Sequence, residues 1–388
     1  MKYLILIIFS YSFALYSESL TLWHAYRGKE KKALETVAKN YEKESGIKIN
    51  LLAIPYDAFD KKLTASIPRM QGPDLFIFAN DKIGTWAKSG LIENLNFYFS
   101  NEKRLFLTLM FDTSVKAMVY ENKLYAIPLA FKVPVLYYNK KFIKTPPETF
   151  DELIKISQKI MSENKNLFGF AYENTNFFFH SFLYFSFGAK LFNSKNEVLI
   201  YSEASKKSFE YAKYLANETK IMPQEITSSV LTTLFNKNKL IFVINGPWFS
   251  SEIGKNINYG IAPIPDIDTT HKAKPYMSNE GIFINKNSNK KYQAIQFIRY
   301  LAGFKGAETR MKIANQTVTV MELYKNKNEN FKTYKIQAQN STPISNSPVM
   351  SYFWAPMNRV LKKYIEQNKD LDKSLKEAEI KIKNLLRK

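Results

Sequence analysis

Leu240-Ile241-Phe242-Val243-Ile244-Asn245-Gly246-Pro247-Trp248 is the stretch that decides the architecture. Five apolar residues in succession, three of them β-branched, read as a strand buried on both faces. Asn-Gly-Pro then ends it, because Gly permits unusual φ and Pro cannot donate to a ladder. Trp248 is thereby placed just past the carboxyl end of a central strand. Ligands of open α/β sheets bind in the crevice beyond those ends. A large flat ring there suits the apolar face of a sugar. From these nine residues alone, a core Trp closing a strand-to-helix turn fits equally well.

Length and composition set the bounds. A chain of 388 residues is long enough for two hydrophobic cores. With 45% hydrophobic residues, 30 Phe and 24 Tyr it reads as an aromatic-rich globular protein. It has no Cys, which excludes disulfides, thiolate metal sites, a Cys nucleophile and a lipidated N-terminal Cys. The formal net charge is +21, yet only seven of the 56 basic residues are Arg. Phosphate readers favour Arg's planar fork, and here Lys is scattered along helices. The balance speaks for a well-solvated Lys-rich surface and against nucleic acid as a partner. Attraction to an anionic membrane surface stays open.

Lys2 followed by the apolar run Tyr3 to Leu15 reads as a secretory signal peptide within residues 1–19. Small residues allow cleavage after Ala14 or after Ser19, and the run is short for a bilayer span. An exported chain without a lipidation Cys is expected to be free in a periplasm.

Working outward, Leu20-Thr21-Leu22-Trp23-His24 alternates as a strand, and Ala33, Leu34, Val37, Ala38 and Tyr41 mark a helix ended by Gly46. Ile47 to Leu51 alternates again, completing a βαβ unit and so a parallel pair. Gly72 to Asp81 is another buried strand with a polar end. Thr149-Phe150-Asp151-Glu152 is a capping box opening a helix to about Ser162. The segment Asn176 to Phe185 is too apolar for a surface helix. Leu371, Leu375, Ala378, Ile382 and Leu385 mark a terminal amphipathic helix.

Several segments, in order along nearly the whole chain, resemble bacterial maltose-type solute-binding proteins, the extracytoplasmic receptors of sugar ABC transporters. Ile244-Asn245-Gly246-Pro247-Trp248 is similar to that family's INGPW segment, and Gly72-Pro73-Asp74 to its GPD strand. Leu124 to Ala130 with Val133 to Lys140 resembles the first crossing between lobes, and Met277 to Asn285 the return crossing. Met350-Ser351-Tyr352-Phe353-Trp354 resembles its MSxFW run. The resemblance implies two discontinuous α/β lobes joined by a multi-crossing hinge, a type II-like periplasmic binding fold with ligand in the cleft. Residues 20–130 with 281–328 would form lobe 1, and 131–280 with 329–388 lobe 2. Lys325 to Asn330 would be a third linker.

The resemblance also implies a small-molecule solute, a mono- or oligosaccharide, delivered to ABC transporter permease subunits by a monomer without cofactor or metal. Its site residues would be Trp248 and Trp354 as stacking rings, Phe78 and Asp81 at the end of the GPD strand, and Phe177 at the start of the aromatic helix. Tyr26 and Arg27 would follow the first strand, and Lys132 would lie in the first crossing. Asp81 equally fits an N-cap of the helix towards Trp86. His180 fits a core hydrogen-bonder, and the adjacent Tyr137 and Tyr138 point to opposite faces of a strand as packing residues.

One expectation concerns charge. By alignment on Trp23, the family's sugar-binding Asp falls at or next to Arg27. Two family Glu positions fall on Lys132 and Thr175. Carboxylates accept hydrogen bonds from hydroxyls, whereas Arg and Lys only donate. Such a pocket would favour an anionic sugar, gripped by Arg27; the alternative is a neutral sugar bound through Asp81 and backbone. A secreted glycoside hydrolase would need two facing carboxylates, and these positions offer mainly Asp81.

Overall fold

The computed structural model describes residues 19–99, 101–193, 195–325 and 329–387. The expected signal segment up to residue 18 and the middle of the expected third linker, 326–328, lie outside the described residues. The strands are β1 (Ser19–His24), β2 (Lys48–Ala53), β3 (Leu75–Ala79), β4 (Val119–Tyr120), β5 (Lys123–Leu124), β6 (Ala126–Lys132), β7 (Val135–Asn139), β8 (Phe168–Ala171), β9 (Leu240–Asn245), β10 (Tyr259–Ala262), β11 (Tyr276–Ile284) and β12 (Thr342–Pro343).

They make two main sheets. The first has the order β12-β11-β3-β1-β2, with β6 also on β11, and the second the order β10-β7-β9-β8; β4 and β5 form a separate pair. The deciding stretch is β9, buried at every residue, antiparallel to β7 and parallel to β8. β1 pairs β2 in parallel, Ser19 opposite Lys48, across the helix Gly28–Ser45. That helix buries Ala33, Leu34, Val37, Ala38 and Tyr41 on one face. Gly46 ends it at φ 74°, donating its N–H to Glu42 O. Each sheet has its own core: Leu22, Phe76, Trp86 and Phe283 in the first, Tyr137, Phe170, Phe182 and Phe242 in the second.

The chain passes from β6 to β7 through Val133 and Pro134 alone and returns in β11, which pairs with β3 and β6. A single buried amide fixes two passages. Asn80, just after β3, donates to Ile344 O at 3.1 Å and accepts from the Asn279 N–H at 2.9 Å. The Gly84 N–H bonds Asn346 O at 3.0 Å, so the stretch before Trp354 is fastened to the first sheet's layer.

Local signals in the second layer behave as the residue types dictate. Thr149 caps the helix Phe150–Glu163 by accepting from the Glu152 N–H. The Glu152 carboxylate accepts from the Glu148 N–H at 2.8 Å, one residue ahead of the usual capping-box partner. In the helix Phe177–Ser186, His180 is fully buried, with Nε2 at 3.2 Å from Ser208 Oγ. Burial holds it neutral, its pKa pulled down to about 3. Tyr137 donates to Gly246 O at 2.9 Å and lies 2.6 Å from the Tyr334 hydroxyl, a core role.

Candidate functional site

β1, β2 and β3 run parallel, so their carboxyl ends share one edge of the first sheet. The segments that follow them converge there, and the turn after β9 and the start of the helix Trp354–Leu361 face them from the second layer.

A buried charge cluster lies beneath. Lys132 Nζ is 3.1 Å from Glu30 Oε1 and 3.5 Å from Glu280 Oε1. The Tyr26 hydroxyl donates to Glu280 Oε2 at 2.5 Å. Gln316 donates to Glu30 at 2.9 Å and accepts from the fully buried Arg310 at 3.0 Å. Two carboxylates thus meet Lys132, with Arg310 linked to Glu30 through Gln316. Burial pulls the Lys132 ammonium down, but Glu280 and Glu30 outweigh it and raise its pKa above the ordinary value. Burial raises the Glu280 carboxyl, with Lys132 opposing.

This corrects the expectation that Lys132 offers a cation to an anionic ligand. Its charge is answered by two carboxylates, and its ammonium lies 5.4 Å from the Tyr26 ring and 5.6 Å from the Trp248 ring. Tyr26 is 4% exposed, its hydroxyl committed to Glu280, so it braces this cluster. Arg27, by contrast, is exposed at the residue before the helix Gly28–Ser45 and has no ion pair among the described residues.

Trp248 is half-buried in the short 3-10 turn Pro247–Ser251, flanked by the rings of Phe178 and Phe179, each 6.2 Å away. The role of Gly246 differs from the unusual φ expected. Its backbone is extended at φ −80°, ψ 175°. What it provides is room: a Cβ there would meet the Trp248 ring at 2.1 Å. Gly246→Ala is therefore expected to push the indole out of its present position. A shifted Trp emission spectrum checks it, and an unchanged spectrum would show that the ring tolerates a methyl there.

Trp354 is also half-buried, and its Nε1 donates to Asp81 Oδ2 at 3.0 Å. Asp81 is not a helix N-cap, because the chain after β3 turns as a 3-10 helix (Asn80–Lys82) and the carboxylate is used by Trp354 instead. Its other oxygen, Oδ1, is buried and has no hydrogen-bond partner among the described residues. Burial raises this carboxyl, with Lys82 and the Trp354 hydrogen bond opposing.

Two aromatic expectations are corrected by packing. Phe177 is fully buried and stands edge-on behind Trp354 at 6.4 Å, so it supports that ring and presents no face of its own. Phe78 is 4% exposed, stacked between Phe59 at 4.9 Å and Tyr56 at 4.7 Å. Sequence reasoning passed over Tyr56, Glu30 and Glu280. It also passed over Glu173, a partly buried carboxylate two residues before Thr175. Burial raises Glu173, and Glu252 and Asp57 add to it. Asp57 is the second residue of the helix after β2, and Glu173 follows β8.

The fold that carries these residues has known counterparts. The solved structure of the Thermus thermophilus maltotriose binding protein bound with maltotriose superposes with TM-score 0.87 at 23% identity, covering 95% of this chain and 100% of that one. The maltotriose-binding protein of Pyrococcus abyssi is 26% identical over 289 residues, which are 73% of this chain and 62% of that protein. This alignment therefore spans less than two thirds of the relative's length. The maltooligosaccharide ABC transporter solute-binding lipoprotein of Streptococcus pneumoniae is 26% identical over 379 residues, 92% of this chain and 86% of that protein. Residues 27–308 match the family described as bacterial extracellular solute-binding protein. Since that match takes in the first layer's opening helix, both crossings and the turn that carries Trp248, the chain belongs to the bacterial extracellular solute-binding protein family.

Proposed function

We propose that the chain binds a neutral oligosaccharide in the cleft and delivers it to the permease subunits of an ABC importer by lobe closure. The observation that carries this reading is Asp81, one oxygen engaged by the Trp354 indole and the other buried without a donor. A buried acceptor left open beside an aromatic face fits a sugar hydroxyl above a stacked C–H face. The maltotriose and maltooligosaccharide relatives support the ligand class. Lys132, neutralised by Glu30 and Glu280, speaks against an anionic ligand.

On this reading the lobes divide as residues 20–130 with 281–328 and 131–280 with 329–388. The protein acts as a periplasmic monomer after signal-peptide removal, without a lipid anchor, and binding without turnover needs no nucleophile, cofactor or metal. Calorimetry with maltotriose and a galactooligosaccharide tests it. Trp354→Ala is expected to weaken binding by about 1–3 kcal/mol, a stacking-scale loss, with the fold intact by circular dichroism. A parent protein silent to both sugars would overturn the reading.

A further inference from the structure

Phe59, Phe78 and Tyr56 form a pile of three rings at the first sheet's edge. Phe59 and Phe78 are 4.9 Å apart at 24°, Phe78 and Tyr56 4.7 Å apart at 14°. Exposure climbs through the pile from 0% at Phe59 and 4% at Phe78 to 49% at Tyr56. We infer that Tyr56 is the ring on which the first layer stacks a sugar, with Phe78 and Phe59 as its buried backing. The inference rests on the carbohydrate reading above and names a residue that sets its specificity.

Three features separate Tyr56 from an ordinary exposed tyrosine. First, its position is dictated: Pro55 precedes it and Tyr56 opens the helix Tyr56–Ser66 immediately after β2, at the edge where β1 and β3 also end. Second, its ring is held nearly parallel to Phe78, so the exposed face has a fixed orientation before any ligand arrives, which lowers the ordering cost of binding. Third, its hydroxyl has no hydrogen-bond partner among the described residues. Asp81 follows β3 as Tyr56 follows β2, so both lie at the same edge of the first sheet.

A flat apolar face, a free phenolic O–H and a carboxylate acceptor form one subsite. It suits a pyranose, whose C–H face lies on the ring while its hydroxyls reach Asp81 and the phenol. Phe78 supplies no such face, since Tyr56 covers one side and Phe59 the other.

The test is calorimetry with maltotriose on the full protein, with Trp354→Ala alongside. Tyr56→Ala is expected to weaken binding at least tenfold with unchanged melting temperature, because the removed ring packs on one side only. Tyr56→Trp is expected to stay within about threefold of the parent. Tyr56→Leu, which keeps bulk without a flat face and guards against a folding defect in the Ala variant, is expected to lose as much as Tyr56→Ala. Leu or Ala variants within twofold of the parent, while Trp354→Ala loses tenfold, would overturn the assignment of Tyr56 alone. A parent that binds no maltotriose while it binds another neutral oligosaccharide moves the same series to that sugar. A parent silent to all of them overturns both readings.

Discussion

Lys132→Met is expected to lower the free energy of unfolding by about 3–5 kcal/mol, the cost of stripping a buried ion cluster of one partner. Glu30 and Glu280 would then share a nearly dry site with the Tyr26 hydroxyl and Gln316 as their nearest remaining donors. Arg310 is linked to Glu30 only through Gln316, its Nη1 bonding Leu129 O and Gln316. The cheapest response is for Glu280 to take up a proton. Its carboxyl is already raised by burial, and Lys132 is the largest influence holding it down. A group raised in the fold gains protons there first, so the penalty should shrink as pH falls from 7.5 towards 5. The double variant Lys132→Met/Glu280→Gln should recover much of the loss. Urea unfolding of the three proteins at two pH values measures this. A single variant within 1 kcal/mol of the parent would mean that the cluster is open to water and contributes little.

The second large effect is acid sensitivity set by His180. Its folded pKa lies at about 3 and its ordinary value at 6.5. The folded value is depressed, so the stabilising contribution is whole above pH 6.5 and is lost progressively as pH falls towards 3. At pH 4.5 the unfolded chain binds this proton and the folded one does not, at a cost of about 2–3 kcal/mol. His24, whose pKa burial lowers to about 4, acts in the same direction. Asp81, Glu173 and Glu280 act in the opposite one, their carboxyls being raised in the fold. The quantity to measure is therefore a difference. Between pH 7 and pH 4.5 the parent should lose about 2–3 kcal/mol more than His180→Leu. Parallel pH profiles would place a proton on the folded imidazole and remove the argument.

How much of this was legible follows from distance along the chain. The buried strand β9, the βαβ opening, the αL glycine at position 46 and the Thr149 cap are decided by neighbours within a few residues, and the sequence carries them openly. The crossings were legible through resemblance, which also supplied Trp248 and Trp354 as candidate site residues. The electrostatics were not. Lys132 meets partners 102 and 148 positions away, and nothing local says that a Lys at the end of one strand will face a Glu on another. Asp81 reads as a cap because Asp before a helix usually is one; its actual partner is 273 residues on. Tyr56 escaped notice for another reason. It opens an ordinary amphipathic helix, and only the stacking on Phe78 sets it apart.

The chain has four Trp, and they divide evenly. Trp86 is fully buried, with its Nε1 on Asp60, and Trp23 is 8% exposed. Trp248 and Trp354 are half-buried, and this openness to water is what sets them apart, since Trp23 also has an ammonium over its ring and Trp86 also bonds a carboxylate. Indole fluorescence responds to nearby charge and to water, so the two core residues supply a constant background. In the proposed site the other two would report on occupancy. The protein is thus its own optical probe: a spectral change on adding solute should vanish in the Trp248→Phe/Trp354→Phe pair and persist when Trp23 is replaced.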